Sequence, residues 1–165
     1  MRWFYTPAIG LLAFAVSACS PGLDWREVRP DGARALALFP CKPEVINRPA
    51  VAMGLAQCKA SDLSFALSWA EVPDPAQVAP ALQQMREALA SKLIVSVPGV
   101  PKALQVPGMT PNVQALSQRL PGESQQAQVA VFSRGLRVYQ VLMIGTRRND
   151  AAWDAFIGSL KLDEP

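Results

Sequence analysis

Leu63-Ser64-Phe65-Ala66-Leu67-Ser68-Trp69-Ala70-Glu71-Val72 opens with an unbroken alternation of large and small side chains. Leu63, Phe65, Leu67 and Trp69 share one face; Ser64, Ala66, Ser68 and Ala70 share the other. A period of two marks an extended strand, because successive side chains leave the pleat on opposite sides. Before it, residues 51–60 (VAMGLAQCKA) read as a partner strand with Gly54 as its weak point. Ser61-Asp62 is short enough to join the two as an antiparallel hairpin.

Downstream, Pro73-Asp74-Pro75 ends the strand and can start a helix, with Asp74 as N-cap and Pro75 at the first helical position. Pro80 then kinks that helix or marks its true start. Leu82, Met85, Leu89 and Leu93 recur every three or four residues, which predicts an amphipathic helix over residues 80–94 with a core-facing stripe. Residues 95–124, broken by Pro98, Pro101, Pro107, Pro111 and Pro121, read as irregular, with a short strand or turn over 113–120. Such a long connection is either functional or a surface excursion.

Residues 125–132 and 136–145 form a second hairpin around Ser133-Arg134-Gly135. Val138, Leu142 and Ile144 face one way and Tyr139, Val141 and Met143 the other, so this strand is expected to be covered on both sides. Asn149 caps a last helix, Asp150 sits at its positive end, and Trp153, Phe156, Ile157 and Leu160 form its buried stripe. Gly158 is a candidate terminator, and residues 160–162 finish as a short edge segment.

Upstream, residues 33–39 (ARALALF) are a strand stopped by Pro40, residues 24–28 a short strand or turn, and residues 41–50 a loop. The order predicts an α+β domain: an antiparallel sheet with two main helices packed on it.

The chain has 165 residues, 50% hydrophobic and 18% charged, enough for one domain with a real core. It has no histidine, which removes a Ser-His-Asp or Cys-His centre and any His-ligated metal. Ser91 and Lys92 are adjacent and point apart on a helix. Asp62, Glu71 and Asp74 read as loop charges and a helix cap, with nothing that selects a catalytic pair. Neither a calcium loop nor a phosphate loop occurs. The sequence therefore nominates no catalytic residue, no metal ligand and no cofactor, and a non-enzyme is expected.

The first 18 residues read as a targeting segment. Arg2 precedes the apolar run 8–16 (AIGLLAFAV), which is shorter than the roughly 20 residues that cross a bilayer. Val16-Ser17-Ala18-Cys19 resembles the lipobox of bacterial lipoproteins, in which the cysteine is acylated and becomes the new N-terminus. The alternative is an ordinary signal cut after Ala18. The resemblance implies lipidation of Cys19 and, with Ser20 and not Asp following it, the outer membrane. It also implies a membrane-anchored, periplasm-facing envelope protein. Residues 19–32 would then be a lipidated tether and lead-in, and residues 33–165 the domain. Without residues 1–18 the net charge is about +2, which gives no reason to expect nucleic acid.

If Cys19 carries lipid, Cys41 and Cys58 remain as a pair. In an oxidising compartment an even pair usually bonds. A redox or metal pair is the alternative, but neither cysteine sits in a C-x-x-C motif and no further ligand is at hand.

The chain also resembles the Mog1/PsbP-like α/β/α sandwich over roughly residues 33–162. Phe39-Pro40 with Pro43, then Gly135-Leu136-Arg137-Val138-Tyr139, then Ala152-Trp153-Asp154-Ala155-Phe156-Ile157-Gly158-Ser159-Leu160 carry the likeness. It implies a binding or assembly module, and no functional residue carries over.

One charge feature stands out. Between Ser124 and Asn149 there are four arginines, Arg134, Arg137, Arg147 and Arg148, and no acidic residue. Pairing the hairpin places them at opposite ends as two small patches. Guanidinium groups match phosphate and carboxylate, so lipid head groups, lipopolysaccharide or peptide carboxylates are candidate partners; an ordinary solvated surface is the alternative. The expected function is a non-catalytic interaction or assembly module with an envelope protein or lipid as partner. The alternative is a carrier of a small apolar ligand, roofed by residues 95–124 and lined by Trp69, Met85, Met109 and Tyr139.

Overall fold

A computed structural model describes residues 22–163, so the targeting segment and Cys19 lie outside the described residues. In chain order the strands are β1 (Arg26–Val28), β2 (Ala35–Phe39), β3 (Glu44–Arg48), β4 (Met53–Ala60) and β5 (Leu63–Glu71), followed by β6 (Lys102–Ala103) and β7 (Leu116–Pro121). Then come β8 (Gln126–Arg134), β9 (Arg137–Gly145) and β10 (Lys161–Leu162). Helix α1 (Val78–Lys92) lies between β5 and β6, and α2 (Asp150–Gly158) between β9 and β10.

The large sheet runs β3-β4-β5-β9-β8-β7-β6, with every neighbour antiparallel. The alternating segment 63–72 becomes β5 near its centre, with Leu67 opposite Val141 and Trp69 opposite Tyr139. Its bulky face, with Phe132, Tyr139, Val141 and Met143, packs against α2 and a small sheet of β1, β2 and β10. There Phe156 of α2 meets Phe39 at 5.1 Å and Phe65 at 5.4 Å, both edge to face. Burying a phenylalanine stabilises by about 1.5–3 kcal/mol, and such contacts add to it.

The opposite face of β8 and β9 offers Val129, Val131, Val138, Leu142 and Ile144 to Val78, Leu82, Met85 and Leu89 of α1. The strand β9 is thus covered on both sides, and the α+β layout of an antiparallel sheet with two helices holds.

Several segments differ in detail from expectation. Residues 41–50 are not all loop: β3 occupies 44–48 and pairs with β4. Pro43 and Pro49 bracket it, so their missing N–H groups fall outside the ladder. The lead-in is folded, since β1 pairs with β2 and the Trp25 ring stands edge-on to Phe65 at 6.0 Å; the packed domain reaches back ahead of residue 33. Residues 95–124 are less irregular than expected: the strand read as one option for 113–120 is β7, β6 adds two more residues to the sheet, and Val106 and Ala115 are buried in a core. Asp74 does cap, with its Oδ1 accepting from the Ala76 N–H at 2.9 Å, but it caps a 3-10 turn over Pro75–Gln77. Pro80 then falls in the first turn of α1, where no helical partner is lost. Asn149 caps α2 as read, accepting from the Ala152 N–H at 3.0 Å. Gly158 is the last residue of α2 without left-handed geometry; the Ser159 hydroxyl donates to Phe156 O at 2.7 Å and accepts from the Leu38 N–H at 2.8 Å, which ends the helix and pins it to β2.

Cys41 and Cys58 form a disulfide, with Cα atoms 6.0 Å apart. It ties the segment after β2 to β4. Gly54 of β4 lies opposite Trp69, whose indole covers the position a side chain would fill.

Candidate functional site

The turn between β8 and β9 is the two-residue Gly135-Leu136, with Gly135 at φ +55. So short a turn sets Arg134 directly opposite Arg137. Like charges in that position repel, so each needs a partner. Arg137 pairs with Glu71 Oε1 at 2.7 Å and donates to Gly32 O at 2.7 Å. Arg134 donates to Asp163 O, and Asp163 pairs with Arg29.

Two residues along β9 from Arg137, the Tyr139 ring stacks on Phe132 at 5.1 Å and its hydroxyl donates to Ala33 O at 2.9 Å. Burial pushes the Tyr139 pKa up, while the charges of Arg137, Arg134 and Arg34 pull it back. The hydroxyl therefore stays protonated at neutral pH. Ala33 leads into Arg34, which holds a left-handed φ of 52 and offers its carbonyl to the Asp163 N–H at 3.1 Å. Left-handed backbone costs a non-glycine residue about 1–2 kcal/mol. Here it turns the chain so that Arg34 joins the other two arginines.

The result is an open cavity of about 890 Å³ with Arg34, Arg134 and Arg137 around Tyr139, and with Thr110, Glu71 and Asp163 on its walls. Thr110 Oγ1 accepts from the Gly135 N–H at 2.9 Å and fixes the turn. Among the described residues Arg34 makes no ion pair. Three guanidinium groups face two carboxylates, both of which already have arginine partners. This arrangement can take an anion of carboxylate or phosphate type. It presents no nucleophile beside a base. Comparison with known protein families and with curated proteins gave no match.

The four arginines read from the sequence do fall into two groups. Arg134 and Arg137 share the cavity just described. Arg147 and Arg148 lie at the far end of the hairpin, where Arg148 and Arg119 share Asp150 at 3.2 and 3.1 Å. Sequence reasoning missed Arg34 and Arg119. Arg119 lies on β7, within the 113–120 strand or turn but outside the acid-free run 124–149 that marks the other arginines. Nothing near Arg34 signals a left-handed residue.

The carboxylates weighed for catalysis are engaged elsewhere: Glu71 on Arg137, Asp74 in its cap, Asp62 with the Thr146 hydroxyl at 3.1 Å. Ser91 and Lys92 are exposed near the end of α1. The carrier pocket is not assembled as expected. Trp69 and Met85 border one cleft of about 310 Å³ with Ile46, Met53, Leu55 and Ala70, and none of residues 95–124 lines it. Met109 packs on the α2 side instead, its sulfur accepting from the Val106 N–H at 3.1 Å.

Proposed function

We propose that this chain is an envelope lipoprotein, anchored through Cys19, whose domain is a non-catalytic interaction module facing the periplasm from the outer membrane. Its recognition site is the cavity of Arg34, Arg134 and Arg137. The observation that carries the reading is convergence: three arginines from two distant parts of the chain surround one cavity, and two of them, Arg34 and Arg134, have no ion pair among the described residues. A partner presenting a carboxylate or phosphate matches that chemistry through bidentate contacts. An anchor supports recognition by raising the local concentration near partners in the same membrane. The three-layer build, with helix and small sheet on one side and α1 on the other, supports the Mog1/PsbP-like assignment as an analogy of fold.

The test is mild cross-linking in the native host followed by affinity capture, comparing wild type with Arg34→Glu. Arg34 is exposed, so its substitution leaves the fold within about 0.5 kcal/mol. Loss of a captured species with an unchanged melting curve supports the module. Hydrolase activity abolished by a single Ser, Asp or Glu substitution overturns it. The apolar cleft beside Met53 and Met85 favours a second reading, the carrier, which a small molecule retained in native mass spectrometry would support.

A further inference from the structure

The two ends of the central sheet differ in what they present. One end holds the cavity around the β8–β9 turn. At the other, the first described residue, Gly22, sits against the β4–β5 turn, where Ser61 Oγ donates to its carbonyl at 3.4 Å. Asp62, next in that turn, accepts from Thr146, and Arg147 and Arg148 follow. The nine residues of β5 separate the two ends by about 30 Å.

The end where the chain enters is basic and tipped with valine. Arg119 and Arg148 share the single carboxylate of Asp150, and Arg147 makes no ion pair among the described residues. Lys59 and Lys92 lie at the same end, and Asp62 and Glu123 offset part of the charge. Beside the arginines, Val97 and Val100 stand 76% and 84% exposed. The Gly99 N–H holds this segment to Arg119 O at 2.8 Å. Val97, Pro98, Val100, Arg119, Arg147 and Arg148 together line an open cleft of about 330 Å³.

We infer that this end is a membrane-docking surface for anionic phospholipid head groups of the bilayer that holds the anchor, with Arg119, Arg147 and Arg148 on the phosphates and Val97 and Val100 in the interfacial layer. The inference rests on the anchor proposed above for which membrane is met. Only Ser20 and Pro21 separate Gly22 from Cys19, so a lipid there keeps this end within about 10 Å of the bilayer, three residue steps of extended chain. At that distance unscreened arginines act within one Debye length. Docking by this end turns the Arg34 cavity outward, away from the lipid.

The mature chain, residues 19–165, contains every described residue and closes both cores itself. With Cys19→Ala, so that no acyl chain contributes, it is floated with vesicles of equal parts phosphatidylglycerol and phosphatidylcholine, and with phosphatidylcholine alone. It should float with the anionic vesicles only, and rising salt should release it. Arg147→Glu, and Arg147→Glu with Arg148→Glu, should weaken partitioning by about five-fold or more for each arginine removed. Val97→Ser with Val100→Ser should weaken it too, and Arg34→Glu should leave it unchanged. The single Arg147→Glu variant touches no ion pair, so it keeps the test sound if the double variant misfolds. Failure to float with anionic vesicles, equal flotation with neutral ones, or an Arg34→Glu loss as large as that of Arg147→Glu overturns the docking surface. Mass analysis of the wild-type N-terminal peptide reads the anchor separately: an unmodified Cys19 sinks the anchor and leaves the flotation result standing.

Discussion

Gly54→Ala sets two physical arguments against each other. In an exposed strand alanine is the better residue, because glycine loses more backbone freedom on folding, by roughly 0.5–1 kcal/mol. On that argument the variant gains stability. At this position an added Cβ would stand 2.2 Å from Trp69 Cζ2, 2.5 Å from Cε2 and 2.9 Å from Ile46 O. The ring cannot swing away, since Trp69 is only 2% exposed and lies in the core beneath α2 and the small sheet. Overpacking of this kind costs typically about 1–3 kcal/mol, and more where neither side can give. The steric cost exceeds the propensity gain, so the variant should be destabilised. With a urea slope of about 2 kcal/mol per molar, a net loss of 1–2 kcal/mol lowers the midpoint by about 0.5–1 M. Urea melts followed by far-ultraviolet circular dichroism read this directly. A midpoint that is unchanged or raised would refute the placement of the indole over Gly54.

Three further outcomes are expected. The double variant Cys41→Ser, Cys58→Ser should lose about 2–5 kcal/mol, read as a lower melting temperature under non-reducing conditions; melts that coincide would show that the bond constrains nothing. Tyr139→Phe should cost about 1–3 kcal/mol at neutral pH by orphaning the Ala33 carbonyl. Because burial raises the Tyr139 pKa above its ordinary value of 10.0, the hydroxyl's contribution is whole below that pH and is lost as pH rises through the raised folded value, so the gap between wild type and variant in melts should narrow in alkali. Labelled palmitate should enter the wild type and not Cys19→Ser; label in both at equal level would defeat the anchor.

The strands and helices with a regular period were legible because their pattern is local. Leu63 to Trp69 and Val138 to Ile144 declare their faces in sequence, and Asn149 declares the start of α2. Strand β3 was not legible: Val45 and Ile46 are a weak signal between two prolines, and the pairing that makes them a strand comes from β4. Strand β7 was half legible: residues 113–120 read as a short strand or turn, and the pairing with β8 makes Leu116–Pro121 a strand, with Pro121 sitting harmlessly at its last position. The end of α2 was placed correctly on Gly158, yet the cause is the Ser159 hydroxyl bonding to β2, a contact no local rule contains. The candidate cavity was half legible. Arg134 and Arg137 follow from the turn, whereas Arg34 arrives through tertiary contacts between β2, β9 and the segment after β10.

Along the sheet from β3 to β6 the strands hold 5, 8, 9, 9, 9, 6 and 2 residues. The sheet is lens-shaped, thick in the middle and thin at both rims. A rim is where a second copy could add its own strand and start a fibril. Here the β6 rim offers only two residues, and the β3 rim begins at Glu44, ends at Arg48 and is closed off by a proline on each side. A neighbouring chain would find a ladder of at most five residues at either rim. Both rims are thus poor places for a second copy to extend the sheet.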